Sequence, residues 1–357
     1  MSNQIHGGDI YTATERTGLE AEDILDFSAN INPLGLADSV RWAMIRSIDQ
    51  VIHYPDPQCR ILRSKIAGHE GVDPSFITCG NGAADLIFRL MHVLRPRRAL
   101  LPVPTFLEYE AGMKEVGCEV SHYRLEEEKG FLLGEDFLHR MGPDLDMIVL
   151  CNPNNPTGLP IQKTYLENVL EKCRKWNIFL FIDECFIDFL DDREAYSMVS
   201  FCAESPQLFI LKAFTKFYAM PGIRLGYGIC ASRGLNNALN GYGQPWHVSV
   251  TAQAAGIAAL DDNSDYRRAT RHLIKEERQY LKEALSQLGL KVYDSQANYI
   301  FFRQKKDQLL GEKMLNKGIM IRDCSNYPGL SPGYYRVAIK KHQDNEFLIS
   351  ALREVLM

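Results

Sequence analysis

Lys216 and Arg224 stand eight residues apart in the stretch Lys212-Ala213-Phe214-Thr215-Lys216-Phe217-Tyr218-Ala219-Met220-Pro221-Gly222-Ile223-Arg224-Leu225-Gly226-Tyr227. Around them the residues are small, apolar or aromatic. A cationic lysine is disfavoured in such surroundings, so its pKa falls and the free amine becomes nucleophilic. Arg224 cannot lose its proton and presents a planar fork of donors suited to a phosphate. A nucleophilic amine beside a phosphate anchor meets two needs of pyridoxal phosphate: a Schiff base to its aldehyde and a counter-charge for its ester. The spacing alone also fits a lysine with a buried stem and solvated head beside a surface arginine.

Other stretches supply the remaining parts. Asn152-Pro153-Asn154-Asn155-Pro156-Thr157-Gly158 follows an apolar run, and its prolines and glycine make a rigid loop in which the Asn155 amide can meet a ligand hydroxyl. Phe179-Leu180-Phe181-Ile182-Asp183-Glu184 reads as a buried strand ending in a carboxylate. Asp183 suits either a helix cap or the partner of a pyridinium nitrogen, whose protonation makes the ring an electron sink. Thr78-Cys79-Gly80-Asn81-Gly82-Ala83-Ala84-Asp85 leads into a helical run, Leu86 to Leu94. The backbone of Asn81, Gly82 and Ala83 can there offer N–H groups to a phosphate, with Thr215 and Arg224 as further donors. Phe106 follows a strand-like run and can stack on a flat ring or serve as a core aromatic.

These residues need a scaffold that brings them together. Apolar strand-like runs (99–103, 119–123, 147–151, 178–182, 208–211 and 225–230) alternate with helical patterns such as 105–116 and 163–176. That alternation implies a mainly parallel sheet covered by helices on both faces, an α/β domain. The chemistry-bearing residues mostly follow the strands, where open α/β sheets bind ligands. After Gln244-Pro245-Trp246 the pattern changes to long helices over 249–260 and 264–288. Short strands (291–293, 299–302, 320–321, 334–338) and helices over 307–316 and 343–356 complete a smaller α+β unit. The expected division is an N-terminal segment, 1–40, packing with the small domain, a large cofactor domain, 41–248, and a small domain, 249–357.

Composition fits this picture. The 357 residues carry a net charge of −5, 46% hydrophobic and 24% charged residues, an ordinary globular balance without the basic bias of a nucleic-acid binder. No apolar run reaches the length of a membrane span. The start, Met1 to His6, shows neither the basic nor the apolar segment of a signal peptide, so a cytoplasmic location is expected. Nine scattered cysteines without a C-x-x-C pair read as reduced, buried thiols. The histidines show no metal-ligand spacing, so no metal is expected.

In order and spacing, the glycine cap, the aromatic, the Asn-Pro loop with Asp-Glu, and the lysine with its trailing arginine resemble the fold type I pyridoxal phosphate enzymes of the aminotransferase class I/II superfamily. The resemblance runs over essentially the whole chain. It implies Lys216 as the Schiff-base lysine, Asp183 as the pyridinium partner and Asn155 as donor to the ring's phenolic oxygen. It implies Phe106 as the stacking residue, and Thr215, Arg224 and the Asn81–Ala83 backbone as the phosphate cup. Tyr54, in His53-Tyr54-Pro55-Asp56-Pro57, matches a tyrosine that reaches a neighbouring subunit's cofactor phosphate, which implies a homodimer with shared active sites.

Within the superfamily two branches resemble the chain most: histidinol-phosphate aminotransferases and the threonine-phosphate decarboxylases of cobalamin biosynthesis. His6-Gly7-Gly8-Asp9-Ile10, the run from Leu25 to Gly35, Asn326-Tyr327-Pro328-Gly329-Leu330 and Tyr334 to Ile339 are more similar to the second. So is Asp183-Glu184-Cys185-Phe186-Ile187-Asp188-Phe189, where Phe186 replaces the aminotransferase tyrosine. Two positions depart from the pattern: Ala213 stands where a phosphate-binding serine is usual, and Asp323 follows Arg322 where the decarboxylases have serine. The resemblance implies a small phosphorylated amino acid as substrate. Arg336 is the candidate for its carboxylate, and Arg322, His6 and the backbone near Gly8 and Asn32 are candidates for its phosphate; the two arginines can exchange roles. The alternatives are an aminotransferase using the same lysine and a catalytically silent protein of the same fold. The sequence does not separate threonine phosphate from serine phosphate.

Overall fold

The computed structural model describes residues 6–261, 264–305 and 309–356. Along the chain run strands β1 (Leu25–Asp26), β2 (Ile77–Gly80), β3 (Arg98–Val103), β4 (Glu119–Arg124), β5 (Met147–Cys151), β6 (Phe179–Asp183), β7 (Leu208–Ala213) and β8 (Gly226–Ile229). Strands β2 to β8 form one sheet in the order β2-β8-β7-β6-β5-β3-β4. Every neighbouring pair is parallel except those involving β8, which is antiparallel to β2 and β7. All five residues of β5 are buried, as expected for a strand covered by helices on both sides. This is the α/β architecture expected from the alternating pattern.

The smaller unit contains β9 (Lys291–Val292), β10 (Tyr299–Arg303), β11 (Ile319–Met320), β12 (Arg322–Asp323) and β13 (Tyr334–Ala338). Its four-stranded sheet has the order β12-β13-β10-β9. The apolar run read as one strand over 320–321 is divided between two sheets. β11 pairs in parallel with β1, while β12 pairs with β13. The N-terminal segment is thereby stitched to the small unit through β1. Helix Val250–Leu260 packs on helices Asp38–Ser47 and Arg60–Glu70, so its contacts lie with the large unit although it follows residue 249. Of the helix expected over 307–316, the described part is Leu310–Leu315; its expected start at Asp307 lies outside the described residues.

One face of β7 carries an ionic cluster inside the core. Lys212 Nζ lies 3.1 Å from Glu70 and 3.6 Å from Glu184, all three essentially inaccessible. Arg193 reaches Glu70 at 2.9 Å and Asp188 at 3.1 Å, and the Tyr227 hydroxyl donates to Glu70 at 2.5 Å. Glu184 is further satisfied by the Ser197 hydroxyl and the Met198 N–H, both at 2.8 Å. Burial acts to lower the Lys212 pKa, but Glu70, Asp188 and Glu184 outweigh it and hold the amine protonated. The cluster ties helix Arg60–Glu70 to the ends of β6 and β7, the strands that carry Asp183 and lead into Lys216.

Candidate active site

At the carboxyl edge of the large sheet the chain ends following β2, β3, β5, β6 and β7 converge. Arg224 reaches the same edge from the other direction: it precedes β8, and an antiparallel strand begins where its neighbours end. The result is a cavity of about 430 Å³, lined among others by Ala83, Phe106, Asn155, Asp183, Lys216 and Arg336. That volume suits a small molecule.

Lys216 lies on the cavity wall, its Nζ 5.9 Å from the centre of the Phe186 ring. Desolvation, followed by the positive charges of Arg336 and Arg224, lowers its ammonium pKa to about 8. The Lys216 carbonyl accepts the Asn32 N–H at 3.0 Å, which braces its loop. Because protonation removes the nucleophilic lone pair, capture of an aldehyde by the cofactor-free protein should gain speed by about tenfold per pH unit below pH 8 and level above it. Stopped-flow absorbance with pyridoxal phosphate from pH 6 to 10 checks this; a plateau reached only near the ordinary lysine range would show that the amine is unperturbed.

Asp183 is buried at the end of β6. Its Oδ1 accepts the Cys185 N–H at 2.8 Å and its Oδ2 accepts the Tyr109 hydroxyl at 2.6 Å. Burial raises its pKa, opposed by these hydrogen bonds and by Lys216. Asn155 sits beside it with its side-chain oxygen taken by Arg336 Nη1. That bond orients the amide, leaving its N–H₂ group as the donor presented to a ligand. Phe106, immediately before helix Leu107–Glu115, lines the same cavity.

The phosphate cup has a backbone reason. Gly82 has φ +88°, and a Cβ on it would come within 2.8 Å of the Arg224 guanidinium; a Cβ on Gly226 would meet the Ala83 nitrogen at 2.6 Å. Both glycines let the arginine close on the start of helix Ala83–Leu94, whose cap has no side-chain hydrogen bond. Ala83 and Ala84 line the cavity along with Thr215. Of the expected donors, Asn81 N–H is instead given to Asp85 at 2.9 Å and Gly82 N–H to the Gly80 carbonyl at 2.8 Å. Ala83, at the start of the helix, is the one of the three expected backbone donors that lines the cavity. Ala213 also lines the cavity, so no hydroxyl is offered from that position.

Arg322 and Arg336 face each other in register across β12 and β13, each 5% exposed. Directly opposed like charges are unfavourable, yet their hydrogen bonds go to neutral groups. Arg336 donates to Asn155 and to the Ser28 carbonyl, the latter at 2.7 Å, and Arg322 donates to Asn326 at 2.9 Å. Arg224 likewise donates to the Pro221 carbonyl at 3.2 Å. Three arginines thus line one cavity with neutral hydrogen-bond partners, an arrangement completed by anions. His6, at the cavity rim, lies 3.2 Å from Glu108.

Besides Asn81 and Gly82, three expected site residues lie outside the cavity lining. The Asn32 backbone N–H is given to the Lys216 carbonyl at 3.0 Å, and its side-chain N–H₂ is held inside the core by the Phe217 carbonyl, the Tyr266 hydroxyl and Thr270. It anchors the segment bearing Lys216, and the cavity wall is formed by Asn30, whose buried Oδ1 has no hydrogen-bond partner. Gly8 N–H is occupied by Ser28 Oγ at 2.7 Å, leaving Gly7 on the wall. Tyr54 is 77% exposed and stacks on Trp246 at 4.4 Å, outside its own chain's cavity. Tyr109 and Glu108 line the cavity but did not stand out in the sequence, since an aromatic and an acid in a helical run carry no distinctive pattern.

The donor set fits pyridoxal phosphate: an amine with lowered pKa, a buried carboxylate, an oriented amide, a ring to stack and a cup shaped by two glycines. Residues 22–352 match the family described as aminotransferase class I and II. The chain is 40% identical to threonine-phosphate decarboxylase of Salmonella typhimurium, over 100% of this chain and 98% of that one. Among solved structures it is similar to a histidinol-phosphate aminotransferase from Clostridium acetobutylicum, with TM-score 0.87 and 32% identity over 93% of this chain and 99% of that one. It is also similar to an L-threonine-O-3-phosphate decarboxylase from Porphyromonas gingivalis, with TM-score 0.82 and 25% identity over 93% and 99%. With the lysine, carboxylate and phosphate cup at the sheet edge and the match spanning both units, the chain belongs to the aminotransferase class I and II family.

Proposed function

We propose that this protein is a pyridoxal phosphate-dependent decarboxylase. It converts L-threonine O-3-phosphate and a proton to carbon dioxide and (R)-1-amino-2-propanol O-2-phosphate, a reaction of cobalamin biosynthesis. The convergence of Arg224, Arg322 and Arg336 carries this reading, because one arginine serves the cofactor's phosphate and two remain for a substrate with two anions. Similarity to threonine-phosphate decarboxylase over the full chain supports the choice of reaction. Fold similarity to an aminotransferase does not decide it, since related sites on one fold run different chemistry.

When bound, pyridoxal phosphate supplies an electron sink for the pair released at the substrate's α carbon. Asp183 would face the ring nitrogen, Asn155 the phenolic oxygen, Phe106 the ring face, and Arg224, Thr215 and the first turn of helix Ala83–Leu94 the phosphate. Arg336 binds and orients the substrate carboxylate, while Arg322 and His6 hold its phosphate. Lys216 Nζ, whose pKa near 8 lets it carry or release a proton at neutral pH, delivers the proton to the α carbon vacated by carbon dioxide. Phe186 presents an apolar ring to Lys216 with no hydroxyl to compete for that proton.

The active form is a homodimer. Trp42, Ile45, Ile48, Val51, Ile52 and Ile61, six large apolar residues within twenty positions, are all exposed, the kind of apolar surface that a second copy would cover. Tyr54 accompanies them in sequence and, outside its own cavity, is available to a second copy's cofactor phosphate.

The holoenzyme incubated with threonine O-3-phosphate and no 2-oxo acid should release carbon dioxide, and sedimentation should give twice the chain mass. Amine exchange that depends on 2-oxoglutarate, without gas release, would replace this reading by the aminotransferase. An absorbance band unchanged by any phosphorylated amino acid would mark a silent binding protein. Serine O-phosphate, lacking one methyl group, should react within about 10–200-fold of the threonine rate.

A further inference from the structure

We propose that Tyr109 is a positioning residue that couples the two groups gripping the cofactor ring. The inference rests on the assignment of pyridoxal phosphate to this cavity. Tyr109 is fully buried in the first turn of helix Leu107–Glu115. Its hydroxyl donates to Asp183 Oδ2 at 2.6 Å, and its ring meets Phe106 edge-on at 5.5 Å between centroids. On its other side it packs edge-on against Phe181 of β6 at 5.7 Å. One side chain therefore touches the carboxylate for the ring nitrogen, the aromatic for the ring face and the strand that bears the carboxylate.

The hydroxyl does electrostatic work as well as packing. A buried carboxylate is biased toward its neutral form, and an O–H donor selectively stabilises the ionised one. Only the ionised Asp183 can hold a proton on the ring nitrogen, and with it the positive charge that makes the ring withdraw electrons. Cys185 holds Asp183 through its N–H on Oδ1 and through its side chain, while the Tyr109 hydroxyl holds Oδ2. Burial and the neighbouring Asp183 keep the Tyr109 pKa well above its ordinary value, so the hydroxyl stays a donor across the working pH range.

Tyr109→Phe keeps the ring contacts and removes only the donor. Measured on protein reconstituted with pyridoxal phosphate, the variant should bind the cofactor about tenfold more weakly, the usual effect of one hydrogen bond to a charged group. With less positive charge on the ring nitrogen, the proton on the Lys216 nitrogen is held more tightly. The pH midpoint of the visible absorbance band should therefore rise by up to about one unit. Made in an Asp183→Asn background, the same change should leave cofactor affinity and midpoint within about twofold of the single variant. An unmoved midpoint in Tyr109→Phe, or equal losses in both backgrounds, would overturn the coupling and leave Tyr109 a packing residue. Failure of the unmodified protein to bind pyridoxal phosphate would overturn the cofactor assignment instead.

Discussion

Lys216→Ala should reduce decarboxylation by at least about 10³-fold and remove the visible absorbance band of the lysine-bound cofactor. Two functions are lost at once: the covalent tether and the Nζ that delivers the proton to the α carbon. The cofactor should still be retained through Arg224, Asp183 and the helix start, so binding measured by ultrafiltration should survive while turnover does not. The contrast with Lys212, four residues earlier, makes the test specific. Both lysines lie in the same stretch, but Lys212 is held protonated by Glu70, Asp188 and Glu184, whereas burial, with Arg336 and Arg224 outweighing Cys185 and Asp26, lowers the Lys216 pKa to about 8. A Lys216→Ala enzyme with near-normal carbon dioxide release would show that another amine does the work.

Lys212→Met should instead destabilise the fold, by about 3–5 kcal/mol, because it leaves buried Glu184 without its cation and Glu70 with Arg193 alone. Urea unfolding of the cofactor-free protein measures this directly. The double change Lys212→Met with Glu70→Gln removes one charge of each sign and should recover part of the loss, the sign of a coupled pair. Additive losses would show that the ions act independently. Since Glu184 adjoins Asp183 and Lys212 lies on the strand leading to Lys216, the surviving folded protein should also bind cofactor less tightly.

Much of the site was legible because its chemistry demands rare residues at the ends of strands. Asp183, Asn155 and the Gly80–Ala83 turn each punctuate an apolar run, and in a parallel sheet such punctuation falls at one edge. Phe186 was singled out by the resemblance, as the residue standing where the aminotransferases have tyrosine, and its ring lies 5.9 Å from Lys216 Nζ. The small-unit arginines could be named from their surroundings, but their opposition in register could not, because pairing of β12 with β13 is a long-range contact with no local signal. The divided strand at 319–323 was missed for the same reason: a five-residue run cannot reveal that its two halves join different sheets.

Polar satisfaction was the least legible property. Asn30 and Asn32 are two residues apart and chemically identical, yet Asn32 spends its amide on Phe217, Tyr266 and Thr270 while Asn30 faces the cavity. The acceptors for the Asn32 side-chain N–H₂ come from residues more than 180 positions away, so only the assembled core decides which amide remains available. From the sequence alone the α/β class followed from the alternation of strand and helix patterns, while the cofactor and Lys216 as its nucleophile were implied by the resemblance of the ordered motifs to the superfamily. The tertiary structure decided which lysine is neutralised by carboxylates, which backbone amides remain at the phosphate cup and which arginines face each other. Those depend on charge and hydrogen-bond partners that distant segments bring together only on folding.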